Sequence, residues 1–271
     1  MAYLNLGCGS RFNKGKDWVN IDFTSADPSV KAHNLREGVP LPDASVDLVY
    51  CSHLLEHFSK QEAPAFLSEC RRVLRKGGVV RVVVPDLEGI ARAYLESLGE
   101  ARAGNAGAEA RHEWMVIELI DQMVRERSGG EMLAYLSQET IPAEAFILNR
   151  LGVEAKRIIE SVRSAITAKK GESAPGRYLN CLKGLVVGAD KGKDPAAKAA
   201  AFRRGGEVHR WMYDGVSLKK LLEAAGFADV VKRNAGESYI AGWKEENLDT
   251  EPDGSTYKPD SLFMEGKKES V

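Results

Sequence analysis

One short segment contains the side chains with the clearest capacity for chemistry. His53, Glu56 and His57 have the HxxEH spacing of a family of zinc proteases. A zinc hydrolase needs this motif within a helix and a further ligand from elsewhere in the chain. Here the motif directly follows a run typical of a β-strand, Val46 to Tyr50. We therefore predict no metal site, and we expect Ser52 and His53 to line a ligand crevice at the end of that strand.

A second segment combines a histidine with two large aromatic residues. His209, Trp211 and Tyr213 alternate along the chain, and such side chains are costly to expose unless they pack or bind something. Histidine titrates near neutral pH, so it is the natural group to take a proton from a hydroxyl or an amine. We predict His209 as the first candidate general base, with Tyr213 orienting it, and His53 as the second. Trp211 and Tyr213 are predicted to bind the substrate, and a packed or ligand-positioning role is the alternative for His209.

A glycine-bearing turn near the start of the chain indicates a nucleotide-type cofactor. The apolar residues of Tyr3 to Leu6 predict a buried strand, and the glycines that follow allow backbone to approach a ligand closely. A second strand, Asn20 to Phe23, carries Asp22, whose carboxylate can accept hydrogen bonds from ribose hydroxyls. This pattern also fits NAD-binding sheets. The predicted cofactor contacts in the turn are Asn5, Gly7, Cys8 and Gly9.

Strand and helix patterns alternate around these residues. A weak strand is predicted over Val30 to Leu35, and a strongly β-branched one over Val79 to Val84. Between the strand at Val46 to Tyr50 and the latter, Ser59 begins a capping box for an amphipathic helix that Lys76 to Gly78 ends. Strand-helix-strand units of about thirty residues require right-handed crossovers and a parallel sheet.

The remainder of the chain divides into a helical stretch and a return to the sheet pattern. Glu88 to Thr167 is mainly helical, and insertions of this length usually shape a pocket or a lid. Ser217 is predicted to cap a last helix, with closing strands beginning at Val230 and Ser261. We predict a core of residues 1–90 and 205–271 and a helical insertion, residues 91–204, that caps the substrate. A dimerisation surface is the alternative for the insertion.

The order of five motifs resembles the class I S-adenosylmethionine (SAM) dependent methyltransferases, in particular the broad type 11 group. The motifs are LNLGCG, NID, LPDASVDLVYCSHLLEH, FLSECRRVLRKGG and VVRVVVPD, and the resemblance covers about residues 3 to 90 with a shorter match near the C-terminus. It implies an α/β fold: a Rossmann-like, mostly parallel seven-stranded sheet with an antiparallel edge hairpin and a helical insertion after strand five. It also implies SAM as the cofactor and places a His-x-Trp-x-Tyr segment near the active-site mouth.

Two departures from the resembled pattern affect the cofactor site. The polar residues between Gly9 and Val19 lack helical periodicity, so we predict a loop in place of the usual first helix. The absence of this helix favours SAM over NAD, since SAM has no phosphate for a helix N-terminus to hold. Asn34 stands where these enzymes commonly carry an aspartate that holds the adenine end. Its amide carbonyl can still accept a hydrogen bond, so adenosine contact and a plain turn residue both stay open.

Composition narrows the classes of partner. The 271 residues include 38 basic and 39 acidic ones, which argues against a general binder of nucleic acid. Residues 150–204 carry an excess of basic over acidic side chains, which indicates either a solvated loop or a patch that attracts an acidic substrate. Four cysteines without CxxC spacing, no apolar run of about 20 residues and no room for a signal peptide predict a cytoplasmic protein without a membrane span.

These observations together predict a methyltransferase. The expected acceptor is a hydroxyl or amine of a small or glycan-type molecule, such as an acidic, nucleotide-linked or lipid-linked sugar, as in polysaccharide biosynthesis. An NAD-linked oxidoreductase and a SAM-binding protein without turnover are the alternatives. The sequence does not indicate an oligomeric state.

Overall fold

The computed structural model describes residues 1–25, 27–170 and 195–269 of the chain. Its internal contacts divide the chain into two units. The first unit comprises Met1–Glu88 and Arg210–Val271, and the second comprises Gly89–His209. His209, which the sequence analysis assigned to the core, is therefore the last residue of the second unit.

Within the described residues, the first unit contains one seven-stranded sheet. Its strands are β1 (Tyr3–Leu6), β2 (Trp18–Asp22), β3 (Val30–Ala32), β4 (Val46–Ser52), β5 (Leu74–Pro85), β6 (Phe227–Arg233) and β7 (Ser261–Lys268). They lie in the order β3-β2-β1-β4-β5-β7-β6. Strand β7 runs antiparallel to β5 and β6, and the other pairings are parallel. The predicted α/β fold, with its antiparallel edge hairpin, is confirmed.

Most of the described helices follow β5. In chain order they are α1 (Ala63–Val73), α2 (Leu87–Arg102), α3 (Ala108–Val124), α4 (Gly130–Leu136), α5 (Glu144–Leu151), α6 (Val153–Lys170), α7 (Pro195–Arg204) and α8 (Gly215–Ala224). Among the described helices, none is long and apolar enough to cross a membrane. Helices α2 to α7 make up the predicted helical insertion after strand five.

Two helices cover one face of the sheet. The apolar residues of α1 recur at helical spacing, so Phe66, Leu67 and Cys70 all point to the same side. They join Leu218 and Leu222 of α8 in one apolar cluster with the sheet. This face is held mainly by burial of apolar surface, as the sequence periodicity predicts.

The opposite face is covered by the connection between β6 and β7, residues 234–260. The connection contains only a short 3-10 helix, Trp243–Glu246, among its described residues. Trp243 packs beside Tyr50 of β4, with their ring centroids 5.3 Å apart, in a second apolar cluster. Because successive residues of a strand point to opposite faces, Tyr50 lies on this face while Val49 and Cys51 lie on the helical one.

A buried ion network fixes this connection to the sheet. Arg81 of β5 is fully buried, and its Nε and Nη1 lie 2.6 Å and 2.9 Å from carboxylate oxygens of Asp249 and Glu265. The guanidinium also donates to the backbone oxygens of Asn234 and Glu237. These four partners of Arg81 therefore belong either to the connection or to β7.

The second unit is held by two buried carboxylates of α3. Glu118 accepts a hydrogen bond from the indole of Trp114 and pairs with Arg150 of α5. Asp121 pairs with Arg125, and its carboxylate accepts the backbone N–H of Glu131 at the start of α4. Both contacts fasten a neighbouring helix to α3.

Some element boundaries differ from the sequence prediction. Strand β3 ends at Ala32, because Asn34 caps a 3-10 helix over Leu35–Glu37. Helix α1 ends before the predicted stop, since Leu74 is already extended and pairs with Val46 of β4.

One further prediction on a helix needs correction. Asp214 rather than Ser217 is the N-cap of α8, and Ser217 completes the capping box three residues later. The basic stretch over residues 150–204 lies partly outside the described residues.

Candidate cofactor and active site

The strand order identifies one edge of the sheet as the place for a ligand. Strands β1 and β4 are neighbours, but the chain leaves β1 towards β2 and leaves β4 towards β5, in opposite directions. In open α/β sheets, ligands bind outside the carboxyl ends of the strands at this point of reversal. The carboxyl ends here are Leu6 and Ser52. The predicted glycine turn and the predicted crevice residues Ser52 and His53 follow these two ends.

The glycine turn after β1 is fixed to the end of β2. Gly7 and Gly9 both have positive φ, at 64° and 52°, a region that favours glycine. The backbone N–H of Gly7 donates to the carbonyl of Ile21 over 2.8 Å, and that of Gly9 donates to Oδ2 of Asp22 over 2.8 Å. A Cβ on Gly7 would lie 2.8 Å from Cδ1 of Leu54, whereas a Cβ on Gly9 would meet open space. The turn therefore presents bare backbone at Gly9, beside the Asp22 carboxylate.

The side chains of Asn5 and Cys8 lie behind this turn. Asn5 is 1% exposed, and its Nδ2 donates to the carbonyl of Arg11 over 3.2 Å. Burial, with a smaller effect of the Asp22 carboxylate, raises the pKa of the Cys8 thiol to about 12. Cys8 is consequently a neutral thiol at physiological pH, and it does not compete as a nucleophile for an activated methyl group. Cofactor contact by Asn5 and Cys8 stays a prediction.

Asp22 retains an oxygen for a ligand. Its Oδ2 is taken by Gly9, and its Oδ1 lies 3.4 Å from the backbone nitrogen of Thr24, a long contact. The weakly held oxygen of such a carboxylate can accept a hydrogen bond from a ribose hydroxyl. Together with the open space at Gly9, this arrangement fits the adenosine part of SAM.

Asn34 is engaged as a cap. Its Oδ1 accepts the backbone N–H of Arg36 over 3.2 Å, and its Nδ2 donates to Oε1 of Glu37 over 2.9 Å. This is the turn role that the sequence analysis left open. Adenosine contact by Asn34 stays a prediction, and it requires the carbonyl to use its second lone pair.

His53 is held between a carboxylate and a hydroxyl. Its Nδ1 lies 3.4 Å from Oε1 of the buried Glu56, and its Nε2 lies 2.9 Å from Oγ of Ser261 at the start of β7. A hydrogen bond from the Ser261 hydroxyl to Nε2 requires the proton on Nδ1, the nitrogen that faces Glu56. The backbone supports the same geometry: the N–H of His53, at a φ of 50°, donates to the carbonyl of Val83.

The zinc-protease spacing has no matching geometry. His53 lies just beyond the end of β4, and the rest of the motif forms one turn of 3-10 helix, Leu55–His57, rather than an α-helix.

The predicted aromatic segment has three different environments. The backbone N–H groups of Arg210 and Trp211 both donate to the carbonyl of Glu56. Trp211 is 36% exposed, and the ammonium of Lys60 lies 4.9 Å from its ring centroid. Tyr213 is buried in the apolar cluster of the helical face, where burial and the nearby Glu56 raise its pKa to about 12. Trp211 is thus available to a substrate at the surface, whereas Tyr213 is enclosed.

His209 belongs to the second unit. Its side chain is buried, and its backbone N–H donates to the carbonyl of Gln122 in α3 over 2.9 Å. Its predicted role as a general base stays a prediction.

Sequence reasoning missed Ser261 and Arg11. Ser261 was recognised only as the start of a strand, and its contact with His53 spans 208 residues of sequence. Arg11 was included in the loop after the glycine turn without a role. A positive charge directly after a glycine turn is the signal that could have singled out Arg11.

Comparison with known proteins agrees with this geometry. A family model described as "Methyltransferase domain" matches residues 4–82, which include both the glycine turn and His53. Residues 4–82 are therefore similar to methyltransferase domains, and the predicted resemblance to the class I SAM-dependent methyltransferases is confirmed over these residues.

The chain also has a curated relative. A probable S-adenosylmethionine-dependent methyltransferase from Mycolicibacterium smegmatis is 49% identical over 99 residues. The aligned stretch covers 31% of this chain and 37% of the relative.

Solved structures of similar proteins extend over nearly the whole chain. A SAM-dependent methyltransferase from Archaeoglobus fulgidus shares 13% identity, covering 98% of this chain and 86% of its own, with a TM-score of 0.41. A complex of the Haloferax volcanii Trm112 methyltransferase activator with a putative methyltransferase matches at 11% identity, over 99% of this chain and 83% of that chain, with a TM-score of 0.40.

Proposed function

We propose that this protein transfers a methyl group from SAM to a hydroxyl or amine of a small or glycan-type acceptor. The observation that carries the proposal is the glycine turn held against Asp22 at the point where the strand order reverses, inside the matched domain. The open backbone at Gly9 and the weakly held Oδ1 of Asp22 support adenosine binding there.

Methyl transfer requires the protein to position the acceptor molecule and to take up its proton. SAM supplies a methyl group on a sulfonium that leaves as a thioether, so the protein must hold the acceptor in line at roughly 3 Å and exclude water. A hydroxyl acceptor must also lose its proton. The contacts of His53 support it as the base, because Glu56 orients Nδ1 and leaves Nε2 facing a hydroxyl. We therefore rank His53 above His209, reversing the order of the sequence analysis.

The charged surface beside the Leu55–His57 turn supports an acidic acceptor. Arg36 and Arg210 both pair with Glu62, at 3.7 Å and 2.6 Å, so two guanidiniums share one carboxylate. Lys60 adds a third cation against the exposed ring of Trp211. An indole face beside an excess of positive charge suits a sugar ring that carries a carboxylate or phosphate. This is our basis for proposing Trp211 as a substrate-binding residue and polysaccharide biosynthesis as the setting.

Two wider assignments belong to the same proposal. We propose that the helical insertion is the substrate cap, because long insertions between sheet strands usually shape a ligand site. We also propose a cytoplasmic location, since Cys8, Cys51 and Cys70 are free and buried thiols, as is usual in a reducing compartment.

Calorimetric titration with SAM and S-adenosylhomocysteine tests the cofactor assignment. Asp22→Asn keeps an acceptor for the N–H of Gly9 but removes the charge, and we expect it to weaken binding at least ten-fold, about 1.4 kcal/mol. Asp27→Asn is the matched control, since Asp27 is a half-buried carboxylate nearby in sequence that pairs with Lys14. Folded wild-type protein that binds NAD and neither SAM nor its product would contradict the proposal.

A second titration tests the acceptor class. In the presence of S-adenosylhomocysteine, we expect glucose 6-phosphate to bind more tightly than glucose, and Trp211→Ala and Arg210→Gln each to remove that preference. Equal binding of the charged and neutral sugars by wild-type protein would count against an acidic acceptor, while leaving the cofactor assignment intact.

A further inference from the structure

The connection from β1 to β2 contains no helix within the described residues, yet its first part is the cofactor turn. Arg11 closes that turn. Its backbone N–H donates to the carbonyl of Cys8 over 2.9 Å, and its own carbonyl accepts from Nδ2 of Asn5 over 3.2 Å. Arg11 is therefore hydrogen-bonded to Cys8, the residue before Gly9, and to Asn5 of β1.

The side chain of Arg11 is anchored at the other end of the sequence. Its Nε donates to the carbonyl of Leu248 over 2.6 Å, its Nη2 to the carbonyl of Thr250 over 2.5 Å, and its Nη1 to Oε1 of Glu251 over 2.8 Å. The ring of Tyr257 lies beneath the guanidinium, 3.8 Å from Cζ to the ring centroid. A planar guanidinium with several fixed acceptors and a stacked ring has a well-defined orientation.

A second group of contacts holds the far end of the same loop. Oε2 of Glu246 accepts from Nδ2 of Asn13 over 2.7 Å and from the indole nitrogen of Trp18 over 2.8 Å. Residues 246–251 therefore contact the loop at its start, through Arg11, and at its end, through Trp18. An isolated loop between parallel strands has no such support of its own.

We infer that Arg11 is a positioning residue for the cofactor turn, and that residues 246–257 support this turn in place of the absent first helix. The inference rests on the proposed function, because it assigns a role to the turn as the SAM site. Arg11 acts through the backbone of the turn and needs no contact with the ligand. Since coupling between two sites is reciprocal, a ligand that orders the turn also stabilises residues 246–257.

Titration of variants with S-adenosylhomocysteine tests the assignment. We expect Arg11→Ala to raise Kd ten-fold or more. Arg11→Lys should raise Kd by an intermediate factor, because an ammonium keeps the charge but cannot reach three acceptors in the same geometry. The control is Arg75→Ala, which removes another arginine–carboxylate pair. Its partner Asp47 lies at the amino end of β4, whereas the glycine turn follows the carboxyl end of β1. Its Kd should match the wild type.

Hydrogen exchange with and without ligand supplies a second readout, which does not depend on the general stability of the protein. In the wild type, S-adenosylhomocysteine should slow exchange of the amides in residues 246–257, and this protection should disappear in Arg11→Ala. Should Arg11→Ala fail to fold, Arg11→Lys and Glu251→Gln decide the question by the same two measurements.

The outcomes separate the inference from the function on which it rests. Wild-type protein that binds neither SAM nor its product overturns the proposed function. Wild-type binding with an unchanged Kd in the Arg11 variants, or an equal loss of affinity in Arg75→Ala, overturns the positioning role alone.

Discussion

The two faces of the sheet in the first unit are covered in physically different ways. On the helical face, α1 and α8 bury apolar side chains in one cluster with the sheet. On the opposite face, the 234–260 connection is fastened by Arg81, Asp249 and Glu265, all buried, beneath the ring of Trp243. Apolar packing is non-directional and tolerates adjustment, whereas a buried ion network depends on every partner. The ionic face is also the one that supports the cofactor turn through Arg11.

Electrostatics distinguish the faces further. Burial raises the pKa of the Asp249 carboxyl in spite of Arg81 nearby, so the cost of desolvating this group outweighs its favourable contacts. At the edge of the helical face, the pKa of Glu69 is lowered, chiefly by the hydrogen bonds from Arg72. The Glu69 carboxylate on the helical side is partly solvated and paired, whereas the Asp249 carboxyl on the ionic side is enclosed.

The largest expected effect comes from removing the centre of the ionic face. Arg81→Met removes the cation from the buried Asp249 and leaves Glu265 with only Arg233, at 3.3 Å, so it should lower the free energy of unfolding by about 3 to 5 kcal/mol. Urea denaturation measures this change. If the combined variant Arg81→Met, Asp249→Leu and Glu265→Met regains much of the loss, unpaired charge is the cause. A loss below about 1 kcal/mol in Arg81→Met would remove the distinction between the faces.

A cavity on the helical face should cost slightly less. Leu67→Ala removes a fully buried side chain of α1, and we expect a loss of about 3 kcal/mol in unfolding free energy, within the range for leucine cavities. The face is apolar, so Leu67→Met should recover most of the stability. A similar loss in both variants would indicate that this face depends on specific geometry as much as the ionic face does.

How far the sequence predicts each face follows from the same difference. Phe66, Leu67 and Cys70 recur at helical spacing, so the buried side of α1 is evident without a structure. Arg81 stands in a run of valines with no sign of its partners, because Asp249 and Glu265 lie 168 and 184 residues further along the chain. Local periodicity reports burial, but it carries no information on which distant carboxylate neutralises a buried cation.

The candidate site shows the same limit. Gly7, Gly9 and Asp22 were predicted together from local patterns and the family resemblance, and the structure brings them into contact. The pairing of His53 with Ser261 was missed, because it depends on where β7 enters the sheet. Contacts within one strand-turn-strand unit are readable from sequence, whereas contacts made by the antiparallel strand require the topology.

A smaller change on the ionic face tests the hydrogen bonding of Asp249. Tyr50→Phe deletes the hydroxyl that donates to Oδ1 of Asp249 over 2.7 Å, while Arg81 and Trp243 still contact Oδ2. We expect a loss of about 2 kcal/mol, the usual value for a hydrogen bond to a charged group. Thermal and urea unfolding of the variant measure it. No loss would indicate that Asp249 is neutral in the folded protein and needs fewer donors.

The smallest expected effect is the loss of a helix cap beside the helical face, and it depends on pH. Asp214 caps α8 by accepting the N–H of Ser217 over 2.7 Å, and this hydrogen bond is the main cause of its lowered pKa. Asp214→Ala should therefore cost about 1 kcal/mol at pH 7. Because the folded pKa lies below the ordinary value of 3.8, the stabilisation is present above that pH and is lost as the pH falls through the folded pKa.

Urea denaturation of wild type and Asp214→Ala between pH 7 and pH 2.5 should show the two curves converging only at the acid end. Asp214→Asn is the matched variant, since an amide oxygen can cap a helix without titrating, and its difference from wild type should vary less with pH than that of Asp214→Ala. A difference between Asp214→Ala and wild type that stays constant down to pH 2.5 would mean that the cap acts through shape rather than charge. In that case the helical face would owe its stability to packing alone, and the contrast with the ionic face would be sharper still.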